Sequence, residues 1–395
     1  MSEPRRFVQL PNDRPIEWRQ LGGILGPALT LLGVFAIWAL QPDLIEVAFT
    51  HGIGFVATTV LGSLSGLFPF SLAEWAEAGV ILWVLVSPIR PMRDVWQGTR
   101  HFRNAATRGL IQLLSLVVLC MVFFYGTWGL NYARSGLIER QGWEAVDATE
   151  PLANLELLLL GEELVALANA EYLIIHGVPE AEVETAPPSG AALEQAIEAG
   201  WAVAAKELGL SPLMVTARPP TKPLLSSRVF SHLGISGLYF PFTGEANYNA
   251  ETPGYQLPHT IAHEKAHQRG IASEDEANFH GFLACIRSPD PTVRYAGYMF
   301  AQRRVLYSVL PSEPRSARAI VEERLPGVQF DVTEARRFWR SRQGKATDVS
   351  HAINDVYLRA NRVRGGIDSY ALSTELIVAW ARSRGLRIGG QIPSD

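Results

Sequence analysis

Apolar runs dominate the first third of the chain. Residues 21–40 (LGGILGPALTLLGVFAIWAL) and residues 110–130 (LIQLLSLVVLCMVFFYGTWGL) carry no charged side chain. Twenty helical residues at ~1.5 Å rise cover ~30 Å, the hydrocarbon thickness of a bilayer. Residues 78–89 (AGVILWVLVSPI) are apolar but short. They span only if the preceding turn, with Glu74 and Glu77, lies at the interface. Residues 43–70 are apolar too, yet rich in Gly, Ser and Thr. The pattern predicts three membrane helices, over 21–40, 74–90 and 110–130, with 44–70 interfacial or re-entrant.

Arginines orient this region. Arg5, Arg6, Arg14 and Arg19 precede the first run, and no Lys or Arg lies between Leu40 and Ala78. Arg90, Arg93, Arg100, Arg103 and Arg108 precede the last run. Cytoplasmic loops carry the excess of basic residues, so the N-terminus and the 90–108 loop are expected inside. Everything after Trp128 is then outside. A fourth crossing through 44–68 would put those five arginines outside. A cleaved signal peptide is disfavoured, because no small-x-small site follows residue 40 and the apolar run is long for one.

Beyond residue 134 the period changes. Residues 151–172 and 190–208 repeat apolar positions as helices do, and 181–189, with Pro187 and Pro188, reads as a loop. Residues 237–249 (GLYFPFTGEANYN) read as a strand or strand pair, with Pro241 at an edge or bulge. From Pro258 onward the chain is helical, interrupted by Gly344, Gly365 and Gly366. The expected class is α+β, mostly helical: a membrane region over 1–134 and an outer domain over 135–395.

Composition narrows the function. The 35 basic and 39 acidic residues give a net charge of −4, and no basic-aromatic run is present, which argues against nucleic-acid binding. Two cysteines, Cys120 and Cys285, exclude a disulfide framework and a four-thiolate site; both read as small hydrophobes.

One motif carries chemistry. His263 and His267 stand four apart in His263-Glu264-Lys265-Ala266-His267, so both imidazoles lie on one helix face and can reach one Zn²⁺. Glu264 can approach a water beside that ion without ligating it, as a general base requires. Pro258 suits the first turn of this helix and Gly270 a left-handed end. A second helix opens at Ser273, and Ser273 with Glu276 forms a capping-box pattern. A zinc enzyme needs a third protein ligand. Glu274 is preferred, because capping would occupy its rival Glu276. Asn278, one turn on, could hold a ligand histidine by its other ring nitrogen. His259, a turn before His263, is a further supporting candidate.

The order His263-Glu264-x-x-His267 followed by Glu274-x-x-Ala277-Asn278 is similar to the gluzincin clan of zinc peptidases. The whole chain resembles an uncharacterised bacterial family of membrane proteins with a zincin-like outer domain. That resemblance rests also on Trp128-Gly129-Leu130-Asn131-Tyr132-Ala133-Arg134, Phe240-Pro241-Phe242-Thr243-Gly244-Glu245 and Gly366-Ile367-Asp368-Ser369-Tyr370. It implies a multi-pass bacterial membrane protein whose outer domain hydrolyses peptide or protein substrates. Zinc would be held by His263, His267 and Glu274, with Glu264 as base. Asn278 stands where gluzincins commonly have Asp, so it can accept an imidazole N–H without adding charge. Tyr370, His280 and His232 are candidates by type to stabilise the oxyanion. The alternative is a non-catalytic membrane sensor or scaffold with a structural zinc. Physically, residues 128–134 read as an interfacial anchor, with Arg134 reaching headgroups.

Overall fold

A computed structural model describes residues 10–13, 18–145, 151–180, 183–360 and 372–389. Tyr370, Gly365 and Gly366 lie outside the described residues. Four apolar helices open the chain: α1 (Trp18–Trp38), α2 (Pro42–Ser65), α3 (Leu72–Trp96) and α4 (Phe102–Thr127). The last three are long and apolar enough to cross a membrane, whereas the apolar part of α1, Leu25–Trp38, is shorter. α3 and α4 expose apolar side chains along almost their whole length, including Ile81, Leu85, Leu110 and Leu114. Exposed apolar surface on that scale is the mark of a membrane protein.

The sequence pattern placed the first long span at 21–40 and read 44–70 as interfacial, yet α2 is itself long and apolar. Its shape explains the ambiguity. It is wound as a π-helix over Ile45–Ile53 and breaks at Gly52 (φ −121°, ψ −107°). It also buries one side against the rest of the protein. Ile45 and Phe49 pack on Leu130, Thr50 donates to Asn131 Oδ1 at 2.8 Å, and Arg218 donates to Thr59 at 2.6 Å.

In the outer region, α5 (Pro151–His176) and α6 (Gly190–Glu207) precede a three-stranded sheet in the order β1-β3-β2. β1 (Lys222–Pro223) runs parallel to β3 (Glu245–Tyr248), and β2 (Gly237–Phe240) is antiparallel to it, with Tyr239 opposite Ala246. The hairpin matches the expected strand pair, with Pro241 in its turn. β1 was not foreseen, because two residues including a proline show no alternation.

Helices α7 (Leu257–Gln268), α8 (Glu274–Ile286) and α9 (Pro291–Val309) follow, then α10 (Pro314–Glu322), α11 (Pro326–Arg340), α12 (Lys345–Ala360) and α13 (Leu372–Ser383). Phe279, Phe282 and Leu283 of α8 pack with Leu160 and Tyr172 of α5, Tyr295 and Val305 of α9, and Trp380 of α13. The mostly helical α+β class is as read from the sequence. α7 lies between α8 and the sheet. Its fully buried Ala262 and Ala266 pack in one cluster with Ile197 and Trp201 of α6 and Ala277 of α8.

Polar groups tie the sheet to the apolar helices. The Glu245 carboxylate accepts from Leu72 N (3.1 Å) and Ala73 N (2.7 Å), which caps α3, and pairs with Lys222. Lys222 Nζ also donates to the carbonyls of Ser65 (2.7 Å) and Phe70 (3.1 Å). Glu74 accepts from Leu225 N (2.9 Å) and Ser226 N (2.8 Å), so the first turn of α3 is fixed to the outer region.

Residues 128–134 depart from the expected anchor. Trp128 and Asn131 are buried, and Arg134 grips Glu46 of α2 (2.5 and 2.9 Å) and faces the Gly270 carbonyl at 3.4 Å. A guanidinium covered by the protein and paired with a half-buried carboxylate has no reason to reach for headgroups.

Candidate metal centre

α7 begins as its sequence dictates, with Pro258 in the first turn, where the missing N–H costs nothing. It ends at Gly270, whose φ of +81° is left-handed and favours glycine. That turn sends the chain into Ser273 and α8, and the first turn of α8 comes to rest beside the shared face of the two α7 histidines.

There three ligand atoms converge. His263 Nε2 and His267 Nε2 are 3.1 Å apart. Glu274 Oε2 is 3.2 Å from His263 Nε2, and Glu274 Oε1 is 3.7 Å from His267 Nε2. Ligands at ~2.0–2.2 Å on a tetrahedral zinc stand ~3.3–3.6 Å from one another, and these separations bracket that range to within about 0.2 Å. Among the described residues, this is the group of three or more His, Cys, Asp or Glu that could hold a metal.

Two of the three protonation states suit a cation. His267 Nδ1 donates to the Ile271 carbonyl at 2.7 Å, which leaves a lone pair on Nε2. Burial pulls His267 down to about 4, so it is neutral near pH 7. Burial alone would raise Glu274, but hydrogen bonding and charge from His263 and His267 hold it at about 2. Burial also opposes charging of His263, but the Glu274 hydrogen bond and charge outweigh it and raise that ring. The set is therefore one carboxylate, one imidazole with a free Nε2 lone pair and one, His263, that favours a proton directed at Glu274, which a bound cation would displace.

Glu264 is buried beside this group. Burial pushes it up to about 8, only partly offset by His263, and the Glu274 charge adds to the rise. It packs against β2. The Tyr239 backbone N–H donates to its carboxylate, and a Cβ at Gly237 would stand 2.8 Å from Glu264 Cγ. Gly237 is glycine because the carboxylate fills the space where a side chain would be.

Glu276 is not at the centre. It accepts from Leu137 N (2.8 Å) and from Arg140 Nη2 (2.7 Å). The capping box also fails to form: Ser273 makes no side-chain cap and pairs with Asp275. Arg140 offers Glu276 a charged partner, which outweighs the neutral Ser273 backbone N–H that a capping box would supply. Asn278 lies beside His263 as a hydrogen-bonding neighbour, although His263 Nδ1 and Asn278 Nδ2 find no partner of good geometry among the described residues. His259 stacks on Phe300 at 3.6 Å and binds the Asn278 carbonyl at 3.2 Å, so it supports the turn that carries Asn278.

The two oxyanion candidates among the described residues, His280 and His232, are not brought in. His280 is buried against Trp201 and held down at about 3 by burial and by Arg140 and Arg134. His232 contacts the Arg342 carbonyl. Two neighbours were missed instead. Trp128 donates from Nε1 to the His267 carbonyl at 3.0 Å, and its ring meets the rings of His267 and Tyr239. The Tyr239 hydroxyl is buried without a hydrogen-bond partner among the described residues. A tryptophan at the end of an apolar run reads as an interfacial residue, so nothing in the sequence signalled its inward turn.

A family model described as a protein of unknown function, DUF3810, matches residues 49–378. The chain belongs to that family. The matched segment of this DUF3810 member begins inside α2 and ends inside α13, so it holds both the long apolar helices and the His263–His267–Glu274 group. No curated protein and no solved structure matches the chain.

Proposed function

We propose that this DUF3810 member is a membrane-anchored, zinc-dependent metallopeptidase of the gluzincin type, acting outside the membrane. The observation that carries the reading is the convergence of His263 Nε2, His267 Nε2 and a Glu274 oxygen with Glu264 one residue from the first ligand. These three side chains would hold the zinc. When bound, zinc supplies Lewis-acid polarisation of a carbonyl and acidification of a water.

The chain's own residues do the rest. Glu264 is the buried base that takes a proton from the attacking water and passes it to the leaving amine. The Tyr239 N–H and the close approach of Gly237 orient its carboxylate. β2 is an outer strand of the sheet and can pair with an extended substrate. In the proposed topology the N-terminus is cytoplasmic and the outer region extracytoplasmic. α2, clasped by Asn131, Arg134 and Arg218, lies on the outer face of the bilayer. The two carboxylates that seat the sheet on α3 and the last turn of α4 against α7 favour one rigid unit over a tethered domain.

The test is metal analysis of the purified full-length protein beside H263A, E274A and E264Q. One zinc per chain in wild type and E264Q, lost in the other two, is expected. A wild type without stoichiometric metal ends the enzyme reading. A scaffold with structural zinc would keep its function in E264Q, whereas an enzyme loses turnover.

A further inference from the structure

The centre is fixed to the end of an apolar helix. α4 ends at Thr127, and the next residue, Trp128, bonds the backbone of the ligand His267. The last charged residue of α4 is Arg108, and the ~19 residues from there to Thr127 cover ~29 Å, one hydrocarbon thickness. Trp128 therefore sits where hydrocarbon gives way to headgroups. The Trp128 and His267 ring centroids are only 6.0 Å apart. The headgroup layer is itself ~5–8 Å deep on each side, so the metal centre lies within or just above it.

A second marker gives the same depth. Leu67, Phe68, Phe70 and Trp75 form an exposed apolar rim where α2 turns into α3. Such a rim suits the interfacial belt. Lys222 of β1 holds this turn through the Phe70 carbonyl, so the sheet rides at the level of the rim.

The outer strand then points the way. β2 starts at Gly237, against the Glu264 carboxylate, and ends at Phe240. Phe240 meets Phe242, which stacks on Phe123 of α4 at 5.5 Å and 11°. An extended segment laid along β2 would run from the base to the final turns of a membrane helix, over ~13 Å at ~3.3 Å per residue.

We propose that the substrates of this site are polypeptides tethered to the same membrane, cut within about the first ten residues outside a span or lipid anchor. The inference rests on the metallopeptidase reading and specifies its substrate class. A segment already held at the surface reaches the site at high effective concentration, whereas a free protein must bring its chain into the headgroup layer.

The experiment compares protein termini in cells carrying the wild-type chain or E264Q at matched abundance, with E264A as a second inactive variant. The expected result is a set of termini absent from both variants, enriched about tenfold or more near spans and lipid-modified ends, as confinement to one surface predicts. Glu264-dependent termini spread through soluble exported proteins overturn the substrate class and leave the peptidase standing. No Glu264-dependent terminus at all overturns the peptidase reading, and the tethered-substrate proposal falls with it.

Discussion

The indole Nε1 of Trp128 donates to the backbone carbonyl of His267 at 3.0 Å, across 139 positions of chain. The first residue beyond a membrane-length helix thus holds the last turn of the helix that carries both imidazoles. Removing the donor while keeping a ring, as W128F, is expected to cost about 1 kcal/mol and weaken zinc retention about fivefold. W128A, which empties the aromatic cluster as well, is expected to cost about 3–5 kcal/mol. Thermal unfolding and competition with a zinc chelator measure both. Unchanged zinc retention in W128A would show that the tether is irrelevant to the site.

Glu276 and Glu274 are two residues apart but separate in role. E276A leaves the half-buried Arg140 without its carboxylate and is expected to lower stability by about 2 kcal/mol. It should retain one zinc per chain, whereas E274A should not. Loss of zinc from a folded E276A would reverse the ligand assignment.

Gly237 has no room for a methyl group beside Glu264. G237A is expected to keep zinc and fold, yet to lower turnover about a hundredfold by displacing the base. Equal turnover in G237A and wild type would show that β2 does not position Glu264.

Lys265 of α7 and Arg269 just after it, both buried, share Glu198 of α6 at 2.8 and 2.5 Å, and Lys265 also holds Glu194. Although burial opposes its ionisation, the Arg269 and Lys265 charges hold Glu198 below its ordinary carboxylate value. A depressed carboxylate stabilises the fold above its unfolded value near 4.5, and that contribution is lost as pH falls through the folded value. Stability to denaturant should therefore fall below about pH 5, and E198Q should flatten that acid limb. A wild-type stability that rises on acidification over this range would contradict the network's role.

Much of the site was legible because it is local. Two histidines one turn apart, a glycine that must turn left-handed and a carboxylate opening the next helix are relations among neighbours in sequence, and Glu274 lies within 3.2 and 3.7 Å of the two imidazoles. The apolar runs were equally plain, since bilayer thickness alone sets their length. Their roles were less so. α2 has the composition of a span, but the Gly52 break and its contacts with Leu130, Asn131 and Arg218 arise from distant parts of the chain.

What the sequence by itself determined is the helix that presents His263 and His267, its stop at Gly270 and the membrane-length helices, because periodicity and backbone sterics act over a few residues. Only the tertiary structure decided that Glu276 serves Arg140, that Gly237 makes room for Glu264 and that Trp128 turns inward to His267. Each depends on which buried partner lies nearest in space across tens to more than a hundred residues, and no local pattern encodes that choice.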